Sequence, residues 1–290
     1  MSTVTIKMTG GLGNQLFQYA FGRAICADQH HLHIDVQWFT NNRSRSLGLN
    51  YFQIPDCVHI LKHDRTFFDS FNRAPRFLKS LSSLAKICPK YIFESSFGFD
   101  ANLLSVPHID VIYEGYFQSH LYFSAIRNSL IQELTVRSEI KEGIALHPTG
   151  LSDHNSVCVH VRRGDYISNA VVNKVHGVCP IDYYKCAIRN IAQKIDNPFF
   201  YFFSDDMEWV KENLISTIRE NTVIAGGGSE IADFELMKSC RHHIISNSTF
   251  SWWSAWLSDS KEKIVIAPKA WFADSNFDSS TMHPPEWISI

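Results

Sequence analysis

The run FFYFF at residues 199–203 contains no polar alternation. A strand with one face in water alternates apolar and polar residues, so a strand apolar at every position must be covered on both faces. That is the situation of a parallel sheet sandwiched between helices. SVCV, at 156–159, opens a second such strand, read as Val157–Val161. Between the two, Tyr184, Ala187, Ile188, Ile191, Ala192 and Ile195 recur at helical spacing in a segment beginning at Asp182. Further strands are expected at Thr222–Ala225, His243–Ser246 and Lys263–Ala267, and shorter helices at Met207–Leu214, Glu230–Cys240 and Thr249–Leu257. Strand and helix in alternation predict a doubly wound α/β domain.

The first half reads less clearly. A strand at Thr3–Met8 leads through TGGLGN into a helix over Asn14–Asp28, with Leu16, Phe17, Ala20, Phe21, Ala24 and Ile25 as one apolar stripe. A second strand is expected at His33–Val36, and HIDVIYEGYFQS (108–119) reads as another strand ending in a polar turn. The stretch between, roughly 40–110, is aromatic-rich without a clear period, and Arg65–Lys90 reads as helical hairpins or loops. LHPTGLSDHNS (146–156) gathers Pro, Gly, Ser and Asp, which places a boundary between domains at 1–150 and 151–290.

Composition narrows the function classes. With 45% hydrophobic residues and a net charge of −2 over 290 residues, the chain is neither disordered nor a general polyanion binder, and no nucleic-acid partner is expected. MSTVTIKMTG offers no basic segment followed by a long apolar one, so neither a signal peptide nor a membrane-spanning helix is expected. Seven cysteines without a CxxC pair fit free thiols in a reducing cytoplasm.

Three polar clusters follow predicted strands: HVRRGD after the first, SDD (204–206) after the second and SNST (246–249) after the fourth. Open α/β sheets bind ligands at the carboxyl ends of their strands. Adjacent guanidiniums repel, so Arg162 and Arg163 need anions. The expectation is that one is tied to Asp205 or Asp206 and the other is free for a ligand, a diphosphate being well matched to the planar fork. Ser248 and Thr249 are either an anion site at a helix start or ordinary N-caps. Trp252 and Trp256, four residues apart on that helix, read as core. SDD lacks the third ligand of a metal site, and Asp233 is an early-helix carboxylate. GGLGNQ resembles a dinucleotide fingerprint with Asp35 as its ribose acid, although Leu16 stands where the third glycine belongs. This leaves an NAD(P)- or flavin-dependent oxidoreductase as the alternative, with a non-catalytic glycan-binding protein as a third class. Asn14 is expected to cap its helix.

GGLGNQLFQYAFGRA (10–24), GYFQS (115–119), HVRRGDY (160–166), FFSDDMEW (202–209) and FELMKSCRHHIISNSTFSWWSAWL (234–257) together resemble the alpha-1,2-fucosyltransferases of glycosyltransferase family 11. The resemblance implies two facing Rossmann-like domains of the GT-B type. It also implies inverting, metal-independent transfer of L-fucose from GDP-fucose to the 2-hydroxyl of a galactoside in an oligosaccharide or surface glycan, with no cofactor beyond the donor. The chain then looks like a bacterial, cytoplasmic form, with at most peripheral membrane association. On the donor side Arg162, with Ser248, Thr249 and Phe250 beside it, is expected at the β-phosphate. Arg163 would hold Asp205 and Asp206, and His160 and Asp233 would read guanine. Asn14, Gln15, Glu114 and His120 are expected on the acceptor side, with Asp165, Glu114 and His120 as alternative general bases.

Overall fold

The computed structural model describes residues 2–26, 31–42, 45–61, 89–105, 110–143, 151 and 155–290. The chain forms two compact units, Met1–Arg137 and Ser138–Ile290.

Unit 1 contains β1 (Thr3–Lys7), α1 (Leu12–Cys26), β2 (His31–Asp35), α2 (Gln37–Asn41), β3 (Val58–Leu61), β4 (Lys90–Phe93), β5 (Val111–Glu114) and α3 (Arg127–Glu133). Its strands form one parallel sheet in the order β3-β2-β1-β5-β4. The α1 helix is buried well beyond the predicted stripe: Gln15, Gln18 and Tyr19 are inside as well, while Ala24 is only half-buried. Its two glutamines can be buried because their amides find partners, described below. β3 and β4 fall in the stretch that resisted reading, since VHIL and KYIF are four-residue runs with no turn signals around them. The expectation for Arg65–Lys90 falls on residues outside those described, up to the residues that open β4.

Unit 2 holds α4 (Ser138–Gly143), β6 (Ser156–Val161), α5 (Gly164–Ser168), α6 (Ala170–His176), α7 (Ile181–Ala192), β7 (Phe199–Ser204), α8 (Met207–Asn213), β8 (Asn221–Ile224), α9 (Glu230–Ser239), β9 (His242–Ile244), α10 (Thr249–Leu257), β10 (Val265–Ala267) and β11 (Ile288–Ser289). Its parallel sheet runs β11-β10-β9-β6-β7-β8. The all-apolar strands behave as the sequence requires. Val157, Val159, Val161, Phe200 and Phe202 pack with Tyr184, Ala187 and Ile188 of α7 in one core, and Cys158, Tyr201 and Phe203 pack with Leu236 and Met237 of α9 in another. Alternate residues of one strand thus enter different cores.

The division between units comes earlier than the expected boundary at 150. Residues up to Arg137 belong to unit 1 because the backbone of Gln53 bonds Thr135 and that of Arg137 bonds Tyr51. The loop-like composition of 146–156 therefore marks the approach to β6, not the change of unit. No described helix is long and apolar enough to cross a membrane.

Candidate active site

In unit 2 the strand order reverses at β6. β7 lies on one side and β9 on the other, so the loops leaving β6 and β9 diverge around a crevice, the usual ligand position in such sheets. Arg162 to Gly164 line one loop and Ile245 to Ser248 the other.

The two arginines and three aspartates form one lattice. Arg162 meets Asp165 Oδ1 at 2.6 Å through Nη2 and Asp205 Oδ2 at 3.0 Å through Nη1. The other oxygen of Asp205 accepts the Arg163 backbone N–H at 2.8 Å. Arg163 Nε donates to Asp206 Oδ2 at 2.9 Å, and its guanidinium lies 3.8 Å from the centre of the Trp209 ring. Asp206 also caps α8 by accepting the Trp209 N–H at 3.2 Å. The hydrogen bond from Arg163 holds its carboxyl below the usual range.

Arg163 thus holds the SDD loop as expected. The division of labour is not as expected, since Arg162 is not left free: it is paired with two carboxylates. A half-buried guanidinium with no ligand is costly unless paired, and Asp165 and Asp205 meet that need. Asp205 reaches it because position 164 is glycine, where a Cβ would lie 2.7 Å from Asp205 Oδ2. With a quarter of its side chain still exposed, Arg162 can exchange a carboxylate for an incoming anion.

His160, the last-but-one residue of β6, is buried with Nδ1 at 2.8 Å from Ser246 Oγ. Burial first, and then the Arg162 charge, push its pKa down to about 3, against a smaller upward pull from Asp205. It is a neutral imidazole near neutral pH, and its ring lies 6.0 Å from that of Phe250. Ser248 occupies the N-cap of α10 but makes no side-chain cap bond, so plain N-capping does not account for its hydroxyl. Thr249 and Phe250 begin the helix, and Trp252 and Trp256 are buried and stacked at 5.9 Å, as core residues. The sequence reading missed Tyr166 and Asn247. Tyr166 O–H donates to the Asn247 carbonyl at 3.0 Å and its ring lies 5.7 Å from the Arg162 guanidinium, while Asn247 Nδ2 donates to the His176 carbonyl at 2.8 Å. These bonds pin the β6 and β9 loops to each other.

Asp233 stands apart from that lattice. It lies in the first turn of α9 and accepts the N–H groups of Gly227 and Gly228 at 3.2 and 3.1 Å, fixing the loop that follows β8. Among the described residues, no three His, Cys, Asp or Glu side chains form a metal-ligand group.

The remaining predicted residues lie in unit 1. α1 begins at Leu12, so Asn14 is inside its first turn and is not the cap. Its Oδ1 accepts from Gln118 Nε2 at 3.0 Å. Gln15 Nε2 donates to the carbonyls of Gly10 and Ser46, both at 3.0 Å, and its Oε1 accepts the Gly48 N–H at 2.7 Å, bonds that hold loops together. Glu114 pairs with Lys7 at 3.2 Å and accepts from the Tyr91 hydroxyl at 2.7 Å. His120 Nδ1 lies 3.1 Å from Ser124 Oγ. The GGLGN loop does join β1 to α1, yet Gly22 is what lets the helix approach the sheet, since a Cβ there would lie 2.8 Å from Ile6. Asp35 accepts the Gln37 N–H at 3.0 Å at the start of α2.

Residues 87–290 match the model of the family described as Glycosyl transferase family 11. The chain is 32% identical to an alpha-1,2-colitosyltransferase of Escherichia coli, across all of this chain and 99% of that one. It is 27% identical to the galactoside 2-alpha-L-fucosyltransferase Sec1 of Mus musculus, across 99% of this chain and 73% of that one. Among solved structures it is similar in fold to a mutant of Arabidopsis thaliana FUT1 in complex with GDP. That match has a TM-score of 0.57 and 12% identity, covering 98% of this chain and 74% of the other. The fold is the α/β GT-B type, and these likenesses give the oxidoreductase alternative no support.

Proposed function

We propose that this chain, which belongs to glycosyl transferase family 11, moves L-fucose from GDP-fucose to the 2-hydroxyl of a galactoside in an oligosaccharide or surface glycan. The observation that carries this reading is the arginine lattice beside the start of α10, at the strand-order reversal of unit 2. In the reaction, the bond between the sugar C1 and the β-phosphate oxygen breaks and its electron pair stays on the phosphate. The acceptor oxygen bonds C1 from the opposite face and releases its proton, which inverts the anomeric centre. Developing charge on the diphosphate needs positive partners already in place. Arg162 supplies them by exchanging a carboxylate for phosphate oxygens, aided by the Ser248 hydroxyl and the N–H groups that open α10. On this reading the protein's own positive charge takes the part a metal would play, and turnover survives EDTA.

Asp165 is a poor base while paired to Arg162, because an adjacent guanidinium favours the ionised carboxylate. We assign it to positioning that arginine. His160, neutral through burial, and Asp233, whose carboxylate retains unused lone pairs, are the proposed guanine readers. The mouse relative is named for fucose and the E. coli relative for colitose. Colitose is fucose without its 3-hydroxyl, so GDP-fucose and GDP-colitose are compared as donors, with linkage analysis of the product. Calorimetry with GDP, GMP and ADP tests the site itself. GMP should bind more weakly than GDP by about 1.5–3 kcal/mol, the worth of one charged hydrogen-bond set. ADP should also fall short of GDP, and Asp233→Ala should narrow that gap. Equal binding of GDP and ADP would remove the guanine readers, and loss of turnover in EDTA restored by Mn²⁺ would reassign the charge work.

A further inference from the structure

Unit 1 has its own strand-order reversal, between β1 and β5, and two loops meet there: residues 8–11 after β1 and Gly115–Ser119 after β5. Gln118 Nε2 donates to Asn14 Oδ1 at 3.0 Å, and Gln18 Nε2 donates to the Gly115 carbonyl at 2.9 Å. Glu94, the residue after β4, accepts the Tyr116 N–H at 2.6 Å and the Phe117 N–H at 3.1 Å. The approach is so close that a Cβ on Gly115 would lie 2.5 Å from the Cβ of Glu94. Phe117 is held at φ 52°, a left-handed conformation that is costly for a bulky residue, while its ring stacks on Phe21 at 3.8 Å and 7°.

A connection between two elements does not need to be fixed this firmly. What the loop presents gives the firmness a purpose. Tyr116 is 38% exposed although Phe117 to His120 are all buried, and its ring lies 6.3 Å from that of Phe97 at 22°, so the two rings form a shelf. Gln118 is 7% exposed, and its Oε1 has no hydrogen-bond partner among the described residues, although Nε2 is spent on Asn14. Buried acceptors ordinarily find a donor. An aromatic shelf and an unspent amide oxygen on one rigid loop, at a sheet's ligand-binding edge, suit a molecule with an apolar C–H face and hydroxyl donors. A galactoside has both.

We propose that Gly115–Ser119 is a galactoside-binding element of unit 1. Tyr116 and Phe97 carry the apolar face of the sugar, Gln118 Oε1 takes one of its hydroxyls, and Glu94 is the positioning residue that sets the loop. The proposal rests on the transferase reading above and deepens it by naming groups that meet the acceptor.

The test is a set of initial rates of the full chain with GDP-fucose and methyl β-D-galactopyranoside, giving a separate KM for each. Tyr116→Ala should raise the galactoside KM about 3- to 10-fold, the worth of one aromatic stacking contact, and leave the donor KM unchanged. Gln118→Met keeps the side-chain length without the oxygen. It should raise the galactoside KM while the melting temperature stays close to the parent's, whereas a merely structural glutamine would show the reverse. Glu94→Gln should raise the galactoside KM by a smaller factor, again without moving the donor KM. Parental galactoside KM values in all three variants would overturn the proposal and leave the transferase reading standing. If the parent transfers nothing to galactosides, the transferase reading fails and saturation-transfer NMR decides the site. Signals from the methyl galactoside that vanish in Tyr116→Ala uphold it, and equal signals or none overturn it.

Discussion

The two sheet edges are built to one plan and filled with different chemistry. In unit 2 the loops at the reversal are held by ion pairs, Arg162 with Asp165 and Asp205 and Arg163 with Asp206. In unit 1 the corresponding loops are held by amides, with Gln15, Gln18 and Gln118 bonded to backbone or to Asn14. Ion pairs at a partly open edge can be exchanged for a charged ligand at modest net cost, because one anion replaces another. Amide networks offer hydrogen bonds without field and suit a neutral, hydroxyl-rich ligand. Shared architecture therefore leaves function open, and the filling of the edge decides it.

Arg162→Lys should break the comparison most severely. A lysine keeps the charge but cannot bridge two oxygens in a plane. The loss expected in transition-state stabilisation is about 2–4 kcal/mol, the scale of removing one strong oxyanion donor. It would appear in kcat/KM with GDP-fucose, with the galactoside KM little changed. Activity near the parent's would show that the lattice is structural only. Arg163→Lys should instead lower the melting temperature as well, since it abandons both the Trp209 ring and the Asp206 bond. An unaltered melting temperature there would merge the roles of the two arginines.

Acid should separate the units by a smaller amount. Unit 2 buries His160 with its pKa down to about 3 and His242 at about 4, and burial lowers His243 as well. A histidine held neutral in the fold stabilises it above its unfolded value near 6.5, and that stability is lost as pH falls from there toward the folded value. At pH 5, about 1.5 units below the unfolded value, His160 alone would withdraw on the order of 2 kcal/mol. Among the described residues of unit 1 only His33, which is half-buried, is lowered in the same way. Hydrogen exchange at pH 7 and pH 5 should therefore show β6, β7 and β9 losing protection before β1 and β5. Equal loss in both units would end the electrostatic contrast.

Unit 2 was the more legible half because its signals are local. FFYFF can only be an interior strand, and α10 was read at Thr249–Leu257, the bounds the structure gives it. The partners of Arg162 were not legible in the same way. Asp165 is three residues away, but Asp205 arrives through sheet register, in which Val161 aligns with Ser204. The glycine of RRGD was the available clue, since a position that must lack a Cβ announces a close neighbour. In unit 1 the edge strands carry too few residues to show a period, and Glu94 follows one of them. Gln118 stood in view within GYFQS, but no sequence pattern says that one half of an amide is spent and the other is not.

The finest test of the contrast is the stability of Glu94→Gln, because here the two edges predict opposite signs. In unit 2 the carboxylates stabilise: the Arg163 bond lowers the Asp206 pKa, so the charged form belongs to the fold. Burial raises the pKa of Glu94 and outweighs the downward pull of the Phe117 and Tyr116 N–H groups. A carboxyl raised in the fold contributes its stability below the unfolded value near 4.3 and loses it as pH rises through the folded value. At neutral pH the Glu94 charge is thus a cost, and glutamine, which imitates the protonated acid, should melt at or slightly above the parent. Near pH 4, where the parent carboxyl takes up its proton, that difference should shrink. Asp206→Asn should do the reverse, melting below the parent at pH 7 and converging with it in acid. Calorimetric melting of both variants at the two pH values is sufficient. If Glu94→Gln is clearly less stable at pH 7, its carboxylate is an ordinary loop clamp, and the edge of unit 1 is held by charge after all.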